Sequence, residues 1–285
     1  MAAGAFVNSV AIVGVGLIGS SFGLALREYG FAGQIVGVSS AAALEAAKKL
    51  GAIDGSASLR EAAGSADLIY LAQPVDRILI TIEKLPGLVR SGALVTDAGS
   101  TKAAIVRQAQ RCLAGIAFIG GHPIAGKEQR GAEASEAQLF NGKPYVLTPQ
   151  GPSTALTDSF RWWLEKIGAR VVEMQPEEHD ATVALTSHLP QVLSTSLALT
   201  LARQSNPNAA EIFGTGLLDM TRLALSSPDL WTSILATNKP AVLAAIEAYS
   251  ASLADLRRSL ESDTVVELFE VGASWAKRIR EQHRT

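Results

Sequence analysis

A single cysteine, Cys112, stands in 285 residues, so no disulfide within the chain can staple the fold. Its place in a helical pattern with Ala109 and Leu113 reads as buried filler rather than a nucleophile. A bias of charge is missing too: the formal net charge is −2, and no basic run interleaved with aromatics gives a basis for a nucleic-acid surface. Long apolar runs are absent. Gly, Ser, Pro or a charge breaks each stretch well short of the roughly 20 residues that cross a bilayer, and Met1 to Ser9 lack the basic start of a signal peptide. These absences lead to the expectation of a cytoplasmic protein with no nucleic-acid or membrane partner. No fixed-period repeat appears and no metal site is read.

What is present is a globular composition, 48% hydrophobic and 18% charged. The length exceeds the roughly 100–200 residues of one ordinary domain, so two are expected. The apolar run Val10–Val13 leads at once into Gly14-Val-Gly16-Leu17-Ile18-Gly19 and then into a helical pattern over Ser20–Arg27. Strand, glycine turn and helix in that order make a dinucleotide-binding unit: Gly14 for the turn, Gly16 for close approach to a pyrophosphate, Gly19 for helix-on-strand packing. Leu17 and Ile18 lie in the same turn. A second strand, Gln34–Val38, ends in Ser39-Ser40, where an NAD site usually carries an acid that accepts from the ribose hydroxyls. Two hydroxyls without a carboxylate favour NADP, with NAD kept open, although no Arg follows to clamp a 2′-phosphate.

Further strands are read at Leu68–Leu71, Ala93–Thr96 and Ile116–Gly120, with helices at Ala41–Leu50, Asp76–Lys84 and through Leu113. Gln73-Pro74 after the third strand either lies beside the cofactor or only starts the next helix. Ser100 and Thr101 are either helix caps or site hydroxyls. The fifth strand delivers Gly120-Gly121-His122-Pro123, a glycine-rich turn carrying one of only four histidines, the side chain tuned to near-neutral proton transfer. At the carboxyl edge of an open sheet, His122 reads as a site residue. Strands at Pro144–Thr148 and Arg170–Met174 flank a helix over Ser153–Ile167, in which Phe160, Trp162 and Trp163 read as core.

After Pro176 the pattern turns helical, over 177–204, 208–226, 228–236 and 238–281. The expected division is therefore an α/β dinucleotide-binding domain over 1–175 and an all-α domain over 176–285. The second half carries more apolar surface than one small bundle buries, which points to a homodimer. Positions 180, 184, 187, 188 and 191 share one helical face, and Pro190 is expected to kink it. His188 is either a buried histidine bonded to a carbonyl or a substrate ligand. Arg222, among Leu217, Leu218, Leu223 and Leu225, needs an acidic partner or a ligand carboxylate.

Together these residues resemble the prephenate and arogenate dehydrogenases of tyrosine biosynthesis. The likeness runs from the glycine turn at 10–20 through Asp97-x-Gly-Ser-x-Lys102, His122-Pro-Ile-Ala-Gly126, Phe140-x-Gly-Lys-x-Tyr-Val-Leu-Thr-Pro149 and Glu178-His-Asp180. It continues through Ser187-His-Leu-Pro190, Asp219-x-Thr-Arg222, Pro228-x-x-Trp231 and Asn238-Lys239. The resemblance implies a Rossmann domain joined to a helical dimerisation domain, and oxidative decarboxylation of prephenate, arogenate or both, with hydride passing to NAD(P). By position, His122 resembles the catalytic histidine, Ser100 its hydrogen-bonding companion and Arg222 the substrate-carboxylate ligand. His188, Gln191 and Lys127 join Arg222 as candidate substrate ligands; Trp231 matches a tryptophan that packs near the site. Gly14, Gly16, Leu17, Ile18, Gly19, Ser39, Ser40, Gln73 and Pro74 form the expected cofactor set. One departure stands out: many prephenate enzymes read Ser-His-Leu-Pro-His, whereas this chain has Gln191, which cannot carry positive charge. The chain stops at Thr285, so no regulatory or chorismate mutase domain is expected. A β-hydroxyacid dehydrogenase or imine reductase is the rival enzyme reading, and a nucleotide-sensing binding protein the non-enzymatic one.

Overall fold

The computed structural model describes residues 7–127, 129–204, 208 and 211–282. The first six residues, and positions 209 and 210 of a segment expected to be helical, lie outside the described residues. In chain order the sheet half reads β1 (Ser9–Val13), α1 (Leu17–Glu28), β2 (Gln34–Val38), α2 (Ala41–Lys49), β3 (Gly55–Ser56), α3 (Leu59–Ser65), β4 (Leu68–Leu71) and α4 (Val75–Lys84). It continues with β5 (Leu94–Asp97), α5 (Ala103–Cys112), β6 (Ala117–Pro123), β7 (Pro144–Pro149), α6 (Ala155–Lys166) and β8 (Arg170–Glu173). These strands form one sheet in the order β3-β2-β1-β4-β5-β6-β7-β8, parallel throughout except for the β6–β7 pair.

The strands are short apolar runs because helices cover both faces of the sheet. Val10 and Ile12 of β1 pack on one side with Phe22, Leu26 and Phe160. Ala11 and Val13 pack on the other with Ile69, Ile78, Val95 and Ile105. The chain runs outward from β1 to β2 and β3, then crosses back to β4, so the topological switch lies between β1 and β4. That is where an open α/β sheet leaves a crevice for a ligand.

Several expectations need correction. The first helix starts at Leu17 rather than Ser20, and β3 and α3, both short, carried no usable periodicity. Trp162 is exposed while Phe160 and Trp163 are buried, and Cys112 is half-buried rather than core.

The helical half comprises α7 (Pro176–Val183), a π-helical turn at Ala184–His188, α8 (Leu189–Arg203), α9 (Thr215–Thr221), a 3₁₀ turn at Arg222–Leu225, α10 (Pro228–Thr237), α11 (Lys239–Glu261) and α12 (Val265–Gln282). The irregularity expected at Pro190 takes the form of this π turn; Pro190 itself sits in the first turn of α8. Ser187 is exposed, whereas Asp180, Ala184, His188 and Gln191 are buried, because the wider turn rotates Ser187 off their face.

Compactness divides the chain at Met1–Lys239 and Pro240–Thr285, later than the sequence pattern changes. Polar ties join α7 and α10 to the sheet half: Asp180 accepts from the backbone N–H groups of Lys102 and Ala103 at 2.7 and 3.0 Å, and the Thr101 and Thr237 hydroxyls meet at 2.9 Å. The second unit holds most of α11, then α12, and exposes Leu253, Leu260, Val266, Phe269 and Trp275. Among the described residues, no helix is long and apolar enough to cross a membrane.

The glycine turn makes the first prediction. A Cβ on Gly19 would run into the carbonyl oxygen of Gly14, whereas one on Gly16 would meet nothing within 4 Å. Gly19→Ala should destabilise the apoprotein by about 1–3 kcal/mol through overpacking, and Gly16→Ala by no more than about 0.5 kcal/mol. Urea titrations of both variants check this; equal midpoints would refute it.

Candidate active site

The crevice is built from backbone. Gly14 takes φ +96° and donates its N–H to the Val38 carbonyl at 2.9 Å, turning the chain where an L side chain is strained. Gly16 is the N-cap of α1; no side chain caps that terminus and no acid stands in its first turn. Leu17 and Ile18 form that turn, so its N–H groups can meet an anion with the helix dipole aligned. These features fit the pyrophosphate of a dinucleotide, which residues 14–19 would hold. Ser39 and Ser40 are exposed at the end of β2, Ser40 as the N-cap of α2, and no carboxylate stands at either position. Gln73 edges the crevice beside Gly14, with its Oε1 accepting from the Thr81 hydroxyl at 2.7 Å. Pro74 is the N-cap of α4, so its helix-starting role is realised.

His122 does not sit in a turn. β6 runs through it, and antiparallel pairing sets Gly121 against Leu147, His122 against Val146 and Pro123 against Tyr145. The two glycines before it serve close approach rather than turning: a Cβ on Gly121 would lie 2.5 Å from the Asp97 carbonyl, and one on Gly120 would meet the Thr148 hydroxyl. β6 stands three strand spacings from β1, roughly 14 Å across the sheet.

The partner of His122 differs from the expected one. Its Nδ1 lies 2.8 Å from Nε2 of His179, whose Nδ1 lies 2.8 Å from Oδ1 of Asp180. Ser100, on the loop after β5, makes no hydrogen bond among the described residues, because the chain there turns to present Thr101 to Thr237. Nor do Ser100 or Thr101 cap α5. The Asp180 carboxylate does so from α7, 78 residues away. Asn238 Nδ2 donates to the Asp180 carbonyl at 2.7 Å and meets His188 Nδ1 at 3.2 Å, so His188 accepts there and carries its proton on Nε2.

Below His122 lies a fully buried ion pair, Lys102 with Asp97; Lys102 Nζ also donates to the Gly121 carbonyl at 2.6 Å. Asp97 accepts from the Gly99 and Gly121 N–H groups. Burial pushes the Asp97 carboxyl up and the Lys102 ammonium down, and each partner's charge opposes the shift. Burial, then the proximity of His179, Lys102 and His188, holds the His122 imidazole well below its ordinary value. Burial would raise Asp180, but its hydrogen bonds from His179, Lys102 and Ala103 outweigh that and keep it below the usual carboxylate range. The site at neutral pH thus contains neutral imidazoles and an ionised Asp180.

Lys127, Arg222 and Gln191 line two cavities, His122 lines another, and His188 lines none of the three. His122 and His179 line one of about 630 Å³ with Arg170 and Ser187. Lys127 and Arg222 line another of about 250 Å³ with Arg130, Ser226 and Ser227. Gln191 and Trp231 line a third of about 420 Å³, which shares Ser226 with the second. Arg222 is exposed at the start of the 3₁₀ turn rather than sunk among leucines. Lys127 pairs with Glu136 at 2.7 Å. Gln191 is buried, donates from Nε2 to the Leu223 carbonyl at 2.8 Å, and has a buried Oε1 with no partner among the described residues. His188 meets Trp231 edge-on at 5.8 Å.

Sequence reasoning missed His179, Asp180, Lys102, Asp97 and Asn238 as site residues. The signal for the first two was a His-Asp pair holding one of four histidines, but residues one apart on a helix are not expected to face each other.

Comparison with known proteins decides the family. The nucleotide-binding domain of prephenate dehydrogenase matches residues 22–173, and its dimerization domain matches residues 175–272. The chain belongs to the prephenate dehydrogenase family. It is 33% identical over 269 residues to a prephenate dehydrogenase of Bacillus subtilis, covering 92% of this chain and 72% of that one. The crystal structure of prephenate dehydrogenase from Aquifex aeolicus, in complex with hydroxyphenyl propionate and NAD+, aligns with TM-score 0.88 and 34% identity over 96% of this chain and 98% of that one. Arogenate dehydrogenase from Synechocystis aligns with TM-score 0.81 and 31% identity over 96% and 99%. The protein is therefore an NAD(P)-dependent oxidoreductase of Rossmann fold, with a dimerisation-domain segment following the sheet.

The neutral histidines carry a consequence for stability. Burial first, then the nearby His179, pushes His188 down to about 4 against Asp180's opposing charge, from an ordinary 6.5. The unfolded chain therefore binds this proton before the folded one does. Its contribution is intact above pH 6.5 and is lost as pH falls toward about 4, a difference of about 3 kcal/mol. Denaturation of wild type and His188→Gln between pH 7 and 4 should show a shallower decline in the variant; parallel curves would refute it.

Proposed function

We propose that this protein oxidatively decarboxylates prephenate, arogenate or both, with NADP preferred over NAD and with His122 as the general base. The observation that carries this reading is a neutral, half-buried His122 at the carboxyl edge of the dinucleotide-binding sheet, with Nδ1 engaged and Nε2 left over. The substrate class is a cyclohexadiene bearing a 4-hydroxyl and, on the opposite ring carbon, a carboxylate. A nicotinamide dinucleotide, when bound, supplies the hydride acceptor. His122 takes the 4-hydroxyl proton as hydrogen leaves C4 with its electron pair. The bond to the ring carboxylate then breaks, carbon dioxide departs, and the released pair completes the aromatic ring. His122 returns its proton to the phenolate oxygen, so no net proton is consumed. Aromatisation supplies the driving force, which leaves the protein to position the substrate and supply one base.

Arg222 holds a substrate carboxylate in this reading, with Lys127 in the same cavity adding positive potential. Ser100, on the loop that follows the neighbouring strand β5, serves as a hydroxyl toward the reacting oxygen. His188, protonated on Nε2, is a donor. The NADP preference rests on Ser39 and Ser40, where an acid would repel a 2′-phosphate. Gln191 supports acceptance of arogenate: it lines its cavity with an amide that carries no positive charge to repel an ammonium, a group the keto acid of prephenate lacks. We place the domain boundary at 175/176 and the homodimer contact on the helical segment, whose exposed Leu218, Phe269 and Trp275 call for cover.

Reduced-nicotinamide absorbance with each pairing of prephenate or arogenate and NADP or NAD tests the function. Turnover should be greatest with NADP; none with any pairing, in folded protein, would overturn the reading. His122→Asn should lower kcat by about 10²–10⁴-fold without changing cofactor Kd. Arg222→Ala should raise the KM for substrate far more than that for cofactor; equal effects on both would argue against carboxylate binding.

A further inference from the structure

The proposed role of His122 requires a bare Nε2, and nothing in an isolated imidazole selects that tautomer. Three linked facts do. Asp180 accepts the Lys102 and Ala103 N–H groups and lies 2.8 Å from His179 Nδ1. His179 is fully buried, and its other nitrogen lies 2.8 Å from His122 Nδ1. Asp180, buried with three donors around it, is a carboxylate.

We propose that His179 and Asp180 are positioning residues that fix the proton of His122 on Nδ1 and so present Nε2 to the substrate as the base. The deduction runs from the charge outward. A carboxylate oxygen at 2.8 Å demands a proton on His179 Nδ1, since two acceptors cannot face each other at that distance. A neutral His179 then has a bare Nε2. The same rule demands a proton on His122 Nδ1, and the neutral His122 is bare at Nε2. The backbone of α5 anchors the chain of bonds, because two of its first N–H groups have Asp180 as their acceptor. His179 never meets the substrate's reacting atoms in this scheme; it acts through His122.

This inference rests on His122 being the base, and the test separates the two. Two variants of His179 are compared. In His179→Gln the side-chain amide donates to Asp180 at one end and accepts from His122 at the other, so it can reproduce the relay without titrating. His179→Leu can do neither. His179→Leu should lower kcat by about 10²-fold or more, with the KM for substrate changed less than about threefold and cofactor Kd unchanged; His179→Gln should recover most of the loss. Equal activity of His179→Leu and wild type, or failure of His179→Gln to exceed His179→Leu when both melt as cooperatively as wild type, would overturn the proposal. A readout independent of turnover is the ¹⁵N spectrum of histidine-labelled protein at pH 7.5. It should show His122 as the Nδ1–H tautomer in wild type and a mixture in His179→Leu; an Nε2–H tautomer in wild type would overturn the proposal. If His122→Asn proves active while these ¹⁵N results hold, the base assignment fails and the tautomer assignment stands.

Discussion

The Asp180 carboxylate is the group on which the rest of the site depends. Helix α5 begins without a side-chain cap of its own, so its leading N–H groups need an acceptor in a place water does not reach. Asp180 supplies it from α7, adds a negative charge where the α5 dipole is positive, and thereby fixes α7 against the sheet. Its own backbone carbonyl takes Asn238, which brings the end of α10 to the same point. One acidic residue thus joins a strand-derived loop and two helices distant in sequence. This explains why the first compact unit reaches past the point where the pattern becomes helical.

Charge beneath the site works with that anchor. Lys102, with Asp97, lies under the Gly121 peptide and adds positive potential around His122. A cation there opposes protonation of the imidazole, as burial does, so His122 is kept in the basic form. The two glycines at 120 and 121 let β6 pass close enough for Lys102 and Asp97 to bond its backbone. Their small size serves electrostatics as much as packing.

Much of the sheet could be read from sequence because its strands are apolar runs between glycine punctuation, and covered strands have little else to encode. The cofactor turn was legible for a related reason: Gly14 takes a positive φ and Gly19 packs against the Gly14 carbonyl, while Gly16 leaves the space beside the helix start open. Gly120-Gly121-His122-Pro123 misled, since two glycines and a proline signal a turn locally, while the extended backbone is imposed by pairing with Tyr145, Val146 and Leu147. The companion of His122 was misread for a related reason. Ser100 follows the strand next to that of His122, but hydrogen bonding is decided by where α7 docks, and no local periodicity encodes an Asp180-to-α5 cap across 78 residues.

In the proposed reading, making a base is separate from choosing a substrate. His122, His179 and Asp180 form a chain of hydrogen bonds anchored in the backbone at the start of α5. The candidate substrate ligands lie elsewhere: Lys127 and Arg222 around one cavity, Gln191 with Trp231 around another, the two cavities sharing Ser226. Gln191 holds the carbonyl of Leu223, the residue after Arg222, so the two candidate selectivity residues are mechanically linked. A change at position 191 therefore alters both the polarity of the cavity it lines and the backbone beside the arginine. On the proposed reading, prephenate and arogenate present the same ring to His122, so this linked pair is where the fold would be tuned between a keto acid and an ammonium.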